Sequence, residues 1–204
     1  MSFYEDRIFP LFLDLATRPF RPDRTRLLAQ ARGRVLEIGA GNGANLPAYT
    51  PAATDIVLLE PAAALLAEAE KRARTLPDPG RFSFIAAGAE ALPFVDESFD
   101  TVIACLVFCT IPDVENAARE ARRVLKPDGQ FLFFEHVAHP RAGVRRWQQR
   151  LNPAWKKLAC GCHLDRDTAA VFSAAGFRYT EFEAFEHPKV PALAGAIIRG
   201  RATR

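Results

Sequence analysis

The chain has 204 residues, 49% of them hydrophobic and 25% charged, with a formal net charge of +3. That length makes one domain, able to bury roughly 70% of the surface its unfolded chain exposes without metal or disulfide staples. The composition excludes a disordered chain, and the small mixed charge shows no interleaved aromatic and basic pattern for nucleic acid. The longest apolar run, 102–109, is far below the roughly 20 residues of a membrane-spanning helix. Glu5, Asp6 and Pro10 break the pattern of a secretory leader. The expectation is a soluble, cytoplasmic protein whose four cysteines are free thiols.

In chain order, Phe3, Tyr4, Ile8, Phe9, Leu11, Phe12 and Leu15 lie at helical spacing on one apolar face. Glu5, Asp6 and Asp14 weaken the rival reading of this segment as a membrane-surface helix. A first strand over 34–38 enters a glycine loop, and a segment with Leu46, Pro47 and Tyr49 allows one brief helix. A second strand covers 56–60, and 62–75 is rich in strong helix formers. Strands follow at 82–85 and 100–105, the latter apolar enough to be buried on both faces. A helix over 114–125 carries Val114, Ala117, Ala118, Ala121, Val124 and Leu125 on one side. Residues 126–129 read as a turn and 130–135 as a fifth strand. After a long segment, 136–163, a helix over 165–175 is closed by Gly176. Two strands, 179–185 and 192–199, follow with only His187-Pro188-Lys189 between them, so they should pair as an antiparallel hairpin. Alternating strands and helices of this kind make an α/β fold with a parallel sheet.

The loop Glu37-Ile38-Gly39-Ala40-Gly41-Asn42-Gly43 follows a strand, and its missing side chains let backbone turn tightly and approach a ligand. Gly39, Gly41 and Ala44 also satisfy the dinucleotide form G-x-G-x-x-G/A. Glu37 points the other way, because a carboxylate aimed at the ligand suits an ammonium group and repels a pyrophosphate. Glu60 ends the next strand, twenty-one residues after Gly39, where a carboxylate can accept both hydroxyls of a ribose.

The segments V-L-E-I-G-A-G-N-G at 35–43, L-L-E-P at 58–61, A-G-A-E-A-L-P-F at 87–94, S-F-D-T-V-I-A-C at 98–105 and R-V-L-K-P-D-G at 123–129 resemble the class I S-adenosylmethionine-dependent methyltransferases (EC 2.1.1), in order and across most of the chain. The resemblance implies a Rossmann-like, seven-stranded, mostly parallel sheet with an antiparallel last strand and helices on both faces. It implies one methyltransferase domain over 1–204, with 1–30 an N-terminal helical lid through which Tyr4 touches the cofactor, and 136–165 an acceptor-site insertion. It implies S-adenosyl-L-methionine as cofactor and S-adenosyl-L-homocysteine as product. Glu37, Gly39, Ala40, Gly41, Asn42, Gly43, Ala44 and Asn45 would then surround the methionine end, Glu60 the ribose and Pro61 the adenine face. Gly88, Ala89 and Glu90 would lie at the adenine edge, and Cys105 and Leu106 beneath the sulfonium. Many members carry aspartate where this chain has Gly88, so the adenine amino group loses that carboxylate or takes a backbone carbonyl.

Further segments, G-A-G-N-G-A-N-L at 39–46, L-V-F-C at 106–109, F-F-E-H-V at 133–137, W-Q-Q at 147–149, P-A-W at 153–155 and G-C-H-L at 161–164, resemble the thiol S-methyltransferase-like branch, the methyltransferase-like 7 group. Members with that pattern methylate small alkyl thiols and carry an N-terminal membrane segment, which is not expected here. The expected acceptor is a small, fairly apolar molecule, first of all a thiol. The runners-up are a quinone or other small-molecule C- or O-methyltransferase, since A-E-A-L-P-F recurs there, and a cofactor-binding protein of this fold without turnover. A nicotinamide oxidoreductase comes third, because no Tyr-x-x-x-Lys follows the fourth strand.

His136, at the carboxyl end of the fifth strand where ligands of open α/β sheets sit, is the first candidate base for the acceptor, with His163 and Asp165 second. Cys160-Gly161-Cys162-His163 invites a zinc reading, but a structural site needs four ligands in suitable pairs and His139 and His187 are not spaced to complete one. No metal is therefore expected. Trp147 and Trp155 are eight residues apart, on one helical face that suits an apolar acceptor pocket. The basic stretch from Arg141 to Lys157 reads as a solvated helix face, with an anionic substrate or a peripheral membrane contact as the sharper reading.

Overall fold

The structure is a computed structural model and describes residues 15–204; Tyr4 and the apolar segment up to residue 14 lie outside the described residues. Seven strands form one sheet: β1 (Gly33–Ile38), β2 (Ala53–Leu59), β3 (Phe82–Ile85), β4 (Phe99–Cys105), β5 (Leu125–His136), β6 (Arg178–Glu186) and β7 (Ala196–Thr203). Their order is β3-β2-β1-β4-β5-β7-β6. The first five run parallel, and β7 is antiparallel to both β5 and β6. The chain order reverses between β1 and β4, and the crevice at the carboxyl ends there is where such sheets take ligands.

Alternation along the strands produces two apolar layers. Leu36, Ile38, Phe131 and Phe133 face one side, against α3 (Val114–Val124) and Phe172 of α5 (Thr168–Ala174). Val35, Ile56, Leu132 and Phe134 face the other, against α1 (Arg21–Leu28) and Ala73 of α2 (Ala63–Ala73). In α3, Val114, Ala117, Ala118, Ala121 and Val124 are all buried, the face expected from the helical period, and the Asp113 side chain caps its first turn at the amide of Asn116. Phe20, Leu27 and Leu28 are also buried, so residues 20–28 pack a core helix beneath the sheet.

Three sequence expectations need correction. Residues 126–129 are not a free turn. They bulge within β5: Phe99 faces Leu125 and Thr101 faces Gln130, leaving four residues opposite Asp100. The last strand begins at Ala196, not Ala192, because Ala192–Gly195 forms one helical turn, α6, after Pro191. Gln148 donates to the Leu193 carbonyl at 3.0 Å and holds that turn in place. Within the long segment 136–165, α4 (Ala142–Leu158) turns Trp147 outward among the described residues, 56% exposed and under the Arg150 guanidinium, against the expected inward-facing side chain. Among the described residues, no helix is long and apolar enough to cross a membrane.

Candidate active site

The glycine loop leaves β1 with Gly39, Gly41 and Gly43 all at positive φ. A Cβ on Gly39 would stand 2.1 Å from Val107 Cγ2, whereas a Cβ on Gly41 would meet nothing within 4 Å. The loop is thus clamped on one side by the segment after β4 and open on the other. Glu37 is fully buried, with Asn45 Nδ2 donating to one carboxylate oxygen at 2.7 Å and Tyr49 Oη to the other at 2.6 Å. Burial raises its pKa, and those two donors counter that only in part. Glu60 accepts from the amides of Gly41 at 3.1 Å and Ala62 at 3.0 Å, and burial raises its pKa too. Two buried carboxylates therefore flank an open stretch of backbone, which suits a ligand with an ammonium group at one end and a diol further along.

Ala89 is buried, and the Glu90 carbonyl accepts from Asn116 Nδ2. A Cβ on Gly88 would come within 2.6 Å of Glu90 Oε2. The Glu90 carboxylate thus lies beside the position that family aspartates occupy.

On the far side, Cys105 ends β4 in the core, and Leu106 takes a positive φ of 58° to turn the chain. The amides of Val107 and Phe108 donate to Glu135 Oε1 at 3.0 and 3.2 Å. Burial pushes Glu135 up to about 7, and its second oxygen has no hydrogen-bond partner among the described residues. His136 Nε2 is 3.1 Å from Cys162 Sγ, and Cys109 Sγ completes a group whose ligand atoms lie within 4.8 Å of one another. The Cys109 thiol and burial both raise the Cys162 pKa. The group is braced from several directions. His163 donates its amide to the Cys109 carbonyl at 2.8 Å, and Asn152 joins Asp165 Oδ1 at 2.7 Å to the amide of Leu164 at 3.0 Å. The Arg166 guanidinium holds the carbonyls of Phe108 and Ile111.

A methyltransferase domain family matches residues 36–133. The human thiol S-methyltransferase TMT1B is 33% identical over 183 residues, covering 87% of this chain and 74% of that protein. The chain belongs to the class I S-adenosylmethionine-dependent methyltransferases. This methyltransferase is also 38% identical over 126 residues to a ubiquinone/menaquinone biosynthesis C-methyltransferase of Methylobacterium nodulans, spanning 59% of its own chain and 47% of the other. Its fold matches geranyl diphosphate C-methyltransferase of Streptomyces coelicolor with a TM-score of 0.71 at 14% identity, over 90% of this chain and 77% of that one. S-Adenosylmethionine is its methyl donor.

The methyltransferase gathers Glu37, the 39–45 loop and Glu60 together, with Val107 against Gly39. His136 stands with two sulfurs, while Asp165 is engaged by Asn152 and His163 braces the Cys109 loop through its backbone. Sequence reasoning missed Tyr49, Cys109, Glu135 and the pairing of Cys162. It read Cys109 as part of an apolar run and grouped Cys162 with its chain neighbours Cys160 and His163. The available signal was that L-V-F-C, F-F-E-H-V and G-C-H-L each carry one member of the group at the same end of the sheet.

Proposed function

We propose that this methyltransferase transfers the methyl group to the sulfur of a small, fairly apolar thiol, with His136 taking the thiol proton. The observation that carries this reading is a histidine at the carboxyl end of β5 set against two sulfurs, one of them, Cys109, on the loop whose Val107 packs on Gly39.

When bound, S-adenosylmethionine supplies a methyl already activated on a sulfonium sulfur. The chain has only to align and desolvate, and alignment alone can contribute roughly 7–11 kcal/mol in the best cases. Glu37 holds the ammonium, Glu60 the ribose hydroxyls and Glu90 the adenine amino group, with Pro61 against the ring. Cys105 and Leu106 form the floor. A thiol as acidic as a cysteine side chain, of pKa about 8.5, is already a few per cent ionised at neutral pH, so for such a substrate a proton acceptor can gain at most about 30-fold. His136→Ala should therefore lower kcat about 10- to 30-fold and leave cofactor affinity within about twofold. Equal losses in both would make His136 a structural residue.

The test is labelled S-adenosylmethionine with a panel of alkyl thiols, phenols and quinols. Thiols accepting label supports the reading, and label on phenols or quinols alone overturns it. The second reading, C-methylation of a quinol, has the similarity to the quinone-pathway enzyme behind it, over a smaller part of this chain.

A further inference from the structure

The group Cys109, His136 and Cys162 is drawn from three separate segments: the loop after β4, the end of β5 and the loop after α4. Its ligand atoms lie within 4.8 Å of one another, with Nε2 to Sγ of Cys162 already at 3.1 Å. A tetrahedral zinc ion, with Zn–S near 2.3 Å and Zn–N near 2.0 Å, requires ligand atoms about 3.5–3.8 Å apart, so side-chain adjustments alone would suffice. The ligand set is soft, which excludes magnesium and calcium and favours zinc or copper(I). His136 Nε2 is the ring nitrogen that faces Cys162 Sγ, so it is the one placed to ligate.

We propose that Cys109, His136 and Cys162 bind a zinc ion through three protein ligands and leave its fourth position for the acceptor thiol. Three protein ligands and one exchangeable position is the arrangement of catalytic rather than structural zinc sites. The inference rests on the thiol reading and changes the role of His136 from proton acceptor to ligand. The ion holds the acceptor as a thiolate, and the thiol proton leaves to solvent. The sulfur's electron pair forms the new S–C bond, and the sulfonium C–S bond breaks with its pair kept by S-adenosylhomocysteine. No oxidant or reductant is needed.

The test uses the full-length protein, reduced and stripped with a chelator, titrated with cobalt(II) and then zinc. One cobalt per chain should give intense tetrahedral visible bands and a thiolate-to-cobalt charge-transfer band, both displaced by zinc. Cys109→Ser and Cys162→Ser should each diminish the charge-transfer band, His136→Ala should weaken binding at least tenfold, and Cys160→Ser should leave the spectrum intact. Adding ethanethiol should increase the charge-transfer intensity. Absence of a saturable spectrum, its survival in both serine variants, or a spectrum unmoved by ethanethiol would each overturn the proposal. So would a Cys109–Cys162 disulfide whose reduction restores no metal uptake. The thiol panel separates the two readings: thiol methylation that persists unchanged in the stripped protein removes the ion and keeps the thiol acceptor. An ion site that ignores thiols, with label on quinols alone, removes both.

Discussion

Glu90 is placed to take over the work of a missing side chain. Gly88 stands where many family members carry aspartate, and Glu90 Oε2 lies 2.6 Å from where a Gly88 Cβ would be. If that carboxylate receives the adenine amino group, Glu90→Gln replaces a charged acceptor by a neutral one and costs about 1 kcal/mol, roughly a fivefold rise in Kd for S-adenosylmethionine by calorimetry. Adding Gly88→Asp should recover most of that loss; an unchanged Kd in Glu90→Gln would hand the contact to backbone. Gly39→Ala should be more severe. Its φ of +66° disfavours a side chain, and the new Cβ would drive into Val107. Cofactor binding should be lost, and the melting temperature should fall by several degrees. The placing of Glu37 and Glu60 on either side of the glycine loop was legible, because each stands at or just past the end of its strand. The Glu90 substitution and the Cys109–Cys162 pairing were not, since both depend on where side chains from separate turns converge.

The elements most legible from sequence were those with one strong period or one uniform environment. The boundaries of β3 and α3 fall within a residue of expectation because four alternating residues, and one alanine-rich face, leave little choice. Residues 126–129 misled because their composition suits a turn, while the flanking residues Leu125 and Gln130 both stay in register with β4 and carry the bulge between them. α6 was missed because four residues give no periodicity. The clearest case of one residue organising elements is Arg123, near the end of α3. It donates to both oxygens of Glu120, to Oδ1 of Asp96 and to the carbonyls of Leu92 and Phe94, thereby pinning the 92–96 loop. Its planar fork makes contacts that an ammonium cannot reproduce. Arg123→Lys should therefore destabilise the fold by about 1–3 kcal/mol, or roughly 2–12 °C in melting temperature. Rescue to the parental melting temperature by lysine would show that charge alone suffices.

At the scale of the molecule, the order reversal between β1 and β4 gathers buried carboxylates at one crevice of a protein whose net charge is only +3. Burial raises the pKa of both Glu37 and Glu60. In the ligand-free protein the folded state then holds more protons than the unfolded chain between the two sets of values. These groups stabilise the fold most at acid pH, and that contribution is lost as pH rises through the raised pKa values. On the proposed binding mode S-adenosylmethionine reverses the preference, because an ammonium at Glu37 and ribose hydroxyls at Glu60 bind a charged carboxylate more strongly than a neutral one. Stabilisation by the cofactor should therefore be small at acid pH, grow through the window just above the ordinary carboxylate range, and level off near neutrality. At a hundredfold excess over Kd the plateau should be about 2.7 kcal/mol, or about 5–11 °C in melting temperature. Melting curves with and without cofactor from about pH 5 to about pH 8 measure it directly. Glu60→Gln should lower the plateau and remove part of the slope. A cofactor shift independent of pH in the parent would mean that neither carboxylate titrates in the window that binding requires.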